Sequence, residues 1–253
     1  MNHSANIWFL AAIATLGFAA CSGPKKFVLT THEYQQHKIN SDIPPDSAYI
    51  RYYGPYKQQL EAEMNRVIGY ADVSLTKPGN APETLLGNFF ADALLSEGRK
   101  LHPDVDFSFG TKGGLRIELQ QGDITIGHIF ELMPFENELV ILELSSQSVQ
   151  QLAQFIASTG GQPTAGMRLK IKDGQATDIQ IAGQPFDASR TYKLLTYDYL
   201  ANGGDNLQGL DNPVKRTDLG NKVREALIAY VNGQTQAGKH INTQLDGRIT
   251  RNQ

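Results

Sequence analysis

The residues best suited to chemistry fall in three short stretches that lie far apart in the chain. The first is "FGTKGGLR", Phe109 to Arg116. Its paired glycines, Gly113 and Gly114, let backbone approach a ligand closely and turn N–H groups toward an anion. Arg116 adds a guanidinium suited to charge-assisted bonds with phosphate or ribose oxygens. The spacing matches neither a phosphate loop ending in Gly-Lys-Ser/Thr nor a dinucleotide fingerprint, so the stretch by itself reads as a turn. The second is "YDYLANGGDNL", where Tyr199 precedes Asn202, Gly203, Gly204 and Asp205. An aromatic face there can stack on a base, and a carboxylate a few residues on accepts hydrogen bonds from ribose hydroxyls. A strand-end turn in which Asp205 bonds its own backbone accounts for the same residues. The third is "MPFENEL", with Phe135 after Pro134 at the edge of a loop, a position that suits core packing as well as stacking.

One apparent metal motif dissolves on inspection. In "HEYQQH", His32 and His37 are five residues apart, roughly 140° around a helix, whereas a zinc-protease helix needs its histidines four apart on one face.

The elements that must position these stretches mix helix and hairpin. A helix is expected from Pro55 through Val73, because Leu60, Met64, Val67, Ile68 and Ala71 make a one-sided apolar stripe, with Pro55 in its first turn. A second helix follows Pro82 and Glu83; Leu85, Leu86, Phe89, Phe90, Leu94 and Leu95 make it apolar on more than one face, hence deeply buried. Gly87 inside it implies that a neighbouring backbone comes close. "VDFSFG", "ELVILEL", "MRLKI", "ATDIQI" and "TYKLLTY" read as strands, and "SSQS" offers a Ser cap to a helix carrying Val149, Leu152, Ala153 and Ile156. A last helix is expected over "DLGNKVREALIAYVN", with Leu219, Val223, Leu227, Tyr230 and Val231 on one side. The pattern is that of an α+β domain with more than one layer of helices.

The composition limits the partners. With 253 residues, 40% apolar, and a net charge of −3 without any basic block, the chain lacks the positive stripe that nucleic-acid binding requires. Its single cysteine, Cys21, closes the apolar run "IWFLAAIATLGFAAC", which is short for a membrane span and ends in small residues like a secretory signal. This arrangement resembles a bacterial lipoprotein signal. It implies a signal peptide over 1–20, acylation of Cys21, a polar tether over 21–50 with one short strand around Phe27 to Thr31, and a folded domain over 51–253. The expected location is the periplasmic side of a bacterial membrane, the outer membrane in particular.

The order of the motifs adds what none of them carries alone. "ETLLGNFFADAL", "TKGGLR", "GDITIGHIFELMPFENELVILEL" and "YDYLANGGDNL" follow one another from Glu83 onward. This series resembles the C-terminal, substrate-binding domain of the 5'-nucleotidase/UDP-sugar hydrolase family. The patterns there are E-x-N-x-G-N-x-x-x-D-A, N-G-G-G-[IL]-R, G-D-I-T, P-F-x-N and N-[FY]-x-[AS]-x-G-G-D. The resemblance runs from about Tyr56 to Ile249 and implies a layered α/β sandwich with mixed β-sheets. It implies that Phe135 and Tyr199 form an aromatic clamp on a nucleoside, and that Arg116 and Asp205 contact ribose and phosphate oxygens. Gly113, Gly114, Gly203 and Gly204, with Asn202, shape the two loops. Thr111 stands where the family has a base-contacting Asn, and Lys112 replaces a glycine, which puts a side chain where the family's backbone meets the ligand.

In that family a separate N-terminal metallophosphatase domain holds two metal ions. This sequence has no D-x-H or G-N-H-[ED] motif for such ions. The resemblance therefore implies a nucleotide- or nucleoside-binding component with no cofactor of its own. Divalent metals and hydrolysis would belong to a separately encoded metallophosphatase chain. The alternative is a non-catalytic ligand-binding or structural lipoprotein that has lost nucleotide recognition, and Thr111 and Lys112 favour it.

Overall fold

The computed structural model describes residues 31–251. Cys21, the expected signal and all but the last residue of the strand expected from Phe27 lie outside them; Thr31 itself is not in a strand. Contacts divide the chain between Ile50 and Arg51. Within 31–50 the described residues are exposed, and His32 packs edge-on against Tyr34.

Helix α1 (Ser47–Met64) begins at Asp46, whose carboxylate accepts from the Ala48 and Tyr49 amides at 2.8 and 3.2 Å. The helix expected over Pro55–Val73 is thereby corrected at both ends. Pro55 lies inside α1 rather than in its first turn, and the chain past Met64 becomes strand β1 (Val67–Ala71). β-Branched Val67 and Ile68 favour a strand, and β1 pairs antiparallel with β3 (Gly122–Thr125). Leu60, assigned to the apolar stripe, is exposed.

The core is built on a five-stranded mixed sheet. Its central strands are β4 (Glu138–Leu144), β9 (Tyr192–Tyr197) and β2 (Phe107–Phe109), flanked by β10 (Lys215–Lys222) and β5 (Thr164–Ala165), in the order β10-β4-β9-β2-β5. Both faces of this sheet are covered. Ser108 donates to the Ala91 carbonyl of helix α2 (Leu85–Leu101) on one side. On the other, Phe109 packs edge-on against Phe155 of helix α4 (Ser146–Ser158). Burial on two faces explains why "ELVILEL" and "YKLLTY" are nearly continuous apolar runs. Helix α4 starts at the expected cap, Ser145, which accepts from the Ser148 amide at 3.1 Å.

A four-stranded sheet packs beyond α4, in the order β11-β6-β7-β8, from β6 (Met167–Lys172), β7 (Gln175–Ile181), β8 (Gln184–Pro185) and β11 (Ile249–Arg251). Here one face meets water, and β6 alternates buried and exposed residues accordingly. Short helices α3 (Ile126–Leu132) and α5 (Asp198–Ala201) follow β3 and β9, and α6 (Val223–Gln236) lies against α2 and β1. The expected α+β sandwich with mixed sheets is the fold that forms. The last helix starts later than expected and runs on to Gln236, because "DLGN" belongs to edge strand β10, paired with β4 through Thr217 opposite Ile141. Leu219 is therefore a strand residue.

Helix α2 is buried along most of its length, as its sequence requires. The expected backbone neighbour of Gly87 is instead a pair of side chains: a Cβ there would sit 2.8 Å from the Thr84 hydroxyl and 3.3 Å from Pro163 Cγ. The polar residues of this first motif clip the C-terminal segment onto α2. Glu83 accepts from Asn88 at 2.6 Å and from the Asp246 and Gly247 amides at 2.8 and 2.9 Å. Asp92 accepts from both terminal nitrogens of the Arg248 guanidinium, at 2.7 and 3.1 Å, and Arg248 Nε donates to Asp246.

Burial pushes the Asp246 carboxyl up, but Arg248 outweighs it and the group ends below the usual carboxylate range. Its folded pKa is depressed. The resulting stability is thus fully present above the unfolded value of about 3.9 and is lost as pH falls through the folded one. Replacing Arg248 with Met leaves three carboxylates facing one another and should cost about 2–3 kcal/mol at neutral pH, since two of the carboxylates are partly solvated. In thermal unfolding scans the gap between wild type and Arg248→Met should narrow below about pH 4; a gap that widens there contradicts the pairing.

Candidate functional site

Strands β2 and β9 are parallel neighbours, Phe107 opposite Leu194. Their C-terminal ends therefore release two loops at the same edge of the sheet. After β2 the chain passes through Thr111 into a single helical turn, Lys112–Gly114, closed by the Gly114 amide on the Thr111 carbonyl at 3.1 Å. Three contacts pin this turn from outside. Lys77 donates to the Leu115 carbonyl, the Lys112 amide donates to Gln162 at 2.9 Å, and Lys112 Nζ donates to the Ala81 carbonyl at 2.6 Å. Lys112 is thus turned away from the ligand side, correcting the expectation that its side chain occupies the place of a glycine hydrogen. Burial, helped by Arg251, holds its ammonium pKa below the usual lysine range.

The loop after β9 carries Tyr199 in α5 and then doubles back. Gly203, Asp205 and Asn206 have φ of 88°, 58° and 53°. Between them Gly204 sits on the Tyr199 ring, where a Cβ would come within 2.5 Å of Cε1, so only glycine lets the loop close over the ring. Asn202 lies behind the loop, its side-chain oxygen accepting from Arg216 at 2.6 Å.

One carboxylate joins the two loops. Asp205 Oδ2 accepts from the buried Thr111 hydroxyl at 2.6 Å, and Oδ1 accepts from the Tyr199 phenol at 3.0 Å. The Asp205 amide donates back to that phenol oxygen at 3.3 Å. Thr111 also lies 3.4 Å from the Tyr197 hydroxyl, whose pKa is pushed up to about 12 by burial.

Above this junction opens a cavity of about 210 Å³. Six expected residues line it together: Gly113, Gly114, Arg116, Phe135, Tyr199 and Asp205. Thr111 supports it from below, Asn202 and Gly203 shape the loop without lining it, and Lys112 faces elsewhere. Met133, Asn137 and Tyr197 also form its wall and were not singled out from the sequence. Phe135 and Tyr199 are 37% and 49% exposed, so both rings that line the cavity can be reached from solvent. Arg116 is exposed, bonded only loosely at 3.3 Å to the Gly113 carbonyl.

Chemically, the pocket offers two aromatic faces, one guanidinium and one carboxylate with lone pairs to spare. It is smaller than the roughly 300–1,000 Å³ of a site that swallows a drug-sized molecule, so it suits one end of a larger ligand. Among the described residues no group of three or more His, Cys, Asp or Glu is placed to hold a metal ion, and no helix is long and apolar enough to cross a membrane.

Fold and pocket together define an α+β domain with a half-open aromatic site at the ends of two parallel strands. The family model for the 5'-nucleotidase C-terminal domain matches residues 67–212, and the chain belongs to that family. It is 26% identical over 195 residues to Protein UshA of Escherichia coli (strain K12), covering 75% of this chain and 35% of that protein. It is 25% identical over 189 residues to the 5'-nucleotidase of Vibrio cholerae serotype O1, covering 72% and 33%. The fold is shared with the solved 5'-nucleotidase precursor from Thermus thermophilus, at a TM-score of 0.68 and 24% identity over 82% of this chain and 44% of that one. The chain spans about a third of the length of these two curated relatives.

Thr111→Val removes the buried donor to Asp205 while keeping side-chain volume. It should lower stability by about 1–2 kcal/mol, the range for a bond to a charged acceptor that is partly solvated. Urea unfolding reads the loss directly; an unchanged midpoint means the junction contributes nothing to holding the loops.

Proposed function

We propose that the domain over 51–253 binds a nucleotide or nucleoside in this pocket, as the substrate-binding component of a 5'-nucleotidase-type phosphohydrolase in nucleotide catabolism. The observation that carries this is the convergence of three distant segments on one cavity that exposes two aromatic rings beside a guanidinium and a carboxylate. The base lies between Phe135 and Tyr199, and Arg116 and Asp205 take ribose and phosphate oxygens. The limited volume leaves the far end of the ligand outside, available to another component.

That component is a metallophosphatase on a separate chain, whose divalent metals supply activated water and charge stabilisation. Cys21 carries a lipid anchor, 21–50 is the tether, and the domain sits on the periplasmic side of a bacterial membrane, the outer membrane in particular. Tethering raises the effective concentration of the two components. Incorporation of labelled palmitate, lost in Cys21→Ser, tests the anchor.

A second reading has its own support. Both Asp205 oxygens are already engaged within the protein, which favours a binding or structural lipoprotein without nucleotide recognition.

Titrating purified protein with AMP, adenosine and UDP-glucose separates the two. Saturable binding is expected, weakened about tenfold by either Phe135→Ala or Tyr199→Ala, because losing one stacked ring costs about 1–3 kcal/mol. Absence of binding at millimolar ligand by folded protein removes the nucleotide reading. Metal-dependent phosphatase activity from this chain alone, abolished by Asp205→Ala, would contradict the need for a partner.

A further inference from the structure

Arg224 belongs to neither glycine loop and lies beyond the residues matched by the family model, yet it grips the wall that carries Phe135. Its side chain is only 11% exposed. The guanidinium lies 4.0 Å from the centre of the Phe130 ring, Nη1 donates to the Phe135 carbonyl at 3.2 Å, and Nη2 pairs with the Glu136 carboxylate. Its neighbours join the same grip. Lys222 Nζ donates to the Glu136 carbonyl at 3.2 Å and to Glu138 at 3.3 Å, and the Val223 amide donates to the Asn137 carbonyl at 2.9 Å. Three successive carbonyls, of Phe135, Glu136 and Asn137, are thereby tied to residues 222–224.

The location of this arginine is costly on local grounds. It is the second residue of α6, where the positive end of the helix dipole disfavours a cation. The Glu136 carboxylate offsets that cost, and Arg224 in turn holds the Glu136 pKa below the usual carboxylate range. The guanidinium also does what no ammonium can: it sits over the Phe130 ring while its fork reaches a carbonyl and a carboxylate at once. The turn it helps to fix follows Pro134 and presents an exposed ring to the cavity.

We propose that Arg224 is a positioning residue that sets the Phe135 ring for stacking before a ligand arrives, an inference that rests on the nucleoside-binding reading of the pocket. A ring fixed in advance loses less freedom on binding. Arg224 itself does not touch the ligand.

The test is a double-mutant cycle between Arg224→Lys and Phe135→Ala, read by adenosine titration. Arg224→Lys should weaken adenosine about five- to tenfold in the wild-type background and less than twofold when the Phe135 ring is gone. Equal losses in both backgrounds, or no loss at all, overturn the assignment. A second measurement needs no ligand: chymotryptic cleavage after Phe135 should rise about tenfold in Arg224→Lys but not in Arg168→Lys, a control on the distant four-stranded sheet. If adenosine fails to bind the wild type, the nucleoside reading falls. Unchanged cleavage in Arg224→Lys would overturn the claim that Arg224 fixes the rim, whatever the ligand.

Discussion

The pocket depends on one carboxylate. Asp205 accepts hydrogen bonds from the hydroxyls of Thr111, 94 residues away in sequence, and Tyr199, six residues away, and so ties two loops that have no shared backbone ladder. The loops meet because β2 and β9 run parallel side by side, which sends their C-terminal ends to one edge of the sheet. Asp205 and Asn206 are both left-handed, a conformation that costs most L-residues about 1–2 kcal/mol each and that Asp and Asn adopt more readily. The two hydrogen bonds to a partly solvated charged acceptor return about 1–2 kcal/mol each, comparable to that cost. Without the junction, Tyr199 would lack a fixed partner, and the cavity would lack one of its aromatic walls.

The two substitutions that set the first glycine loop apart from the family pattern have different structural consequences. Thr111 supplies the buried donor that engages Asp205, so the change is written into the pocket's own support. Lys112 leaves the pocket altogether, its ammonium spent on the Ala81 carbonyl. A lysine in a glycine-rich ligand loop suggests obstruction when only its neighbours in sequence are known. In the fold it acts as a peg that pins the turn from behind.

Much of the architecture was legible because burial writes itself into composition. The runs at Leu139–Leu144 and Tyr192–Tyr197 announce strands covered on both faces, and Ser145 announces the start of α4. Strand β10 was hidden because an edge strand made of "KRTDLGNK" has neither an apolar run nor clean alternation. Strand β1 was absorbed into the helix before it because Val67, Ile68 and Ala71 happen to continue the spacing of Leu60 and Met64. At the site, the aromatic and glycine residues carried a signal, whereas Tyr197 and Met133 looked like ordinary core. Arg224 had no signal at all, since its role arises only from where α6 meets the Phe135 turn.

The most direct measurement is a crystal structure of the protein grown with saturating adenosine. The base should lie between the Phe135 and Tyr199 rings, with the ribose toward Arg116 and the Thr111–Asp205 bond intact. Adenosine bound elsewhere, or a cavity left without ligand under those conditions, would contradict the nucleoside site.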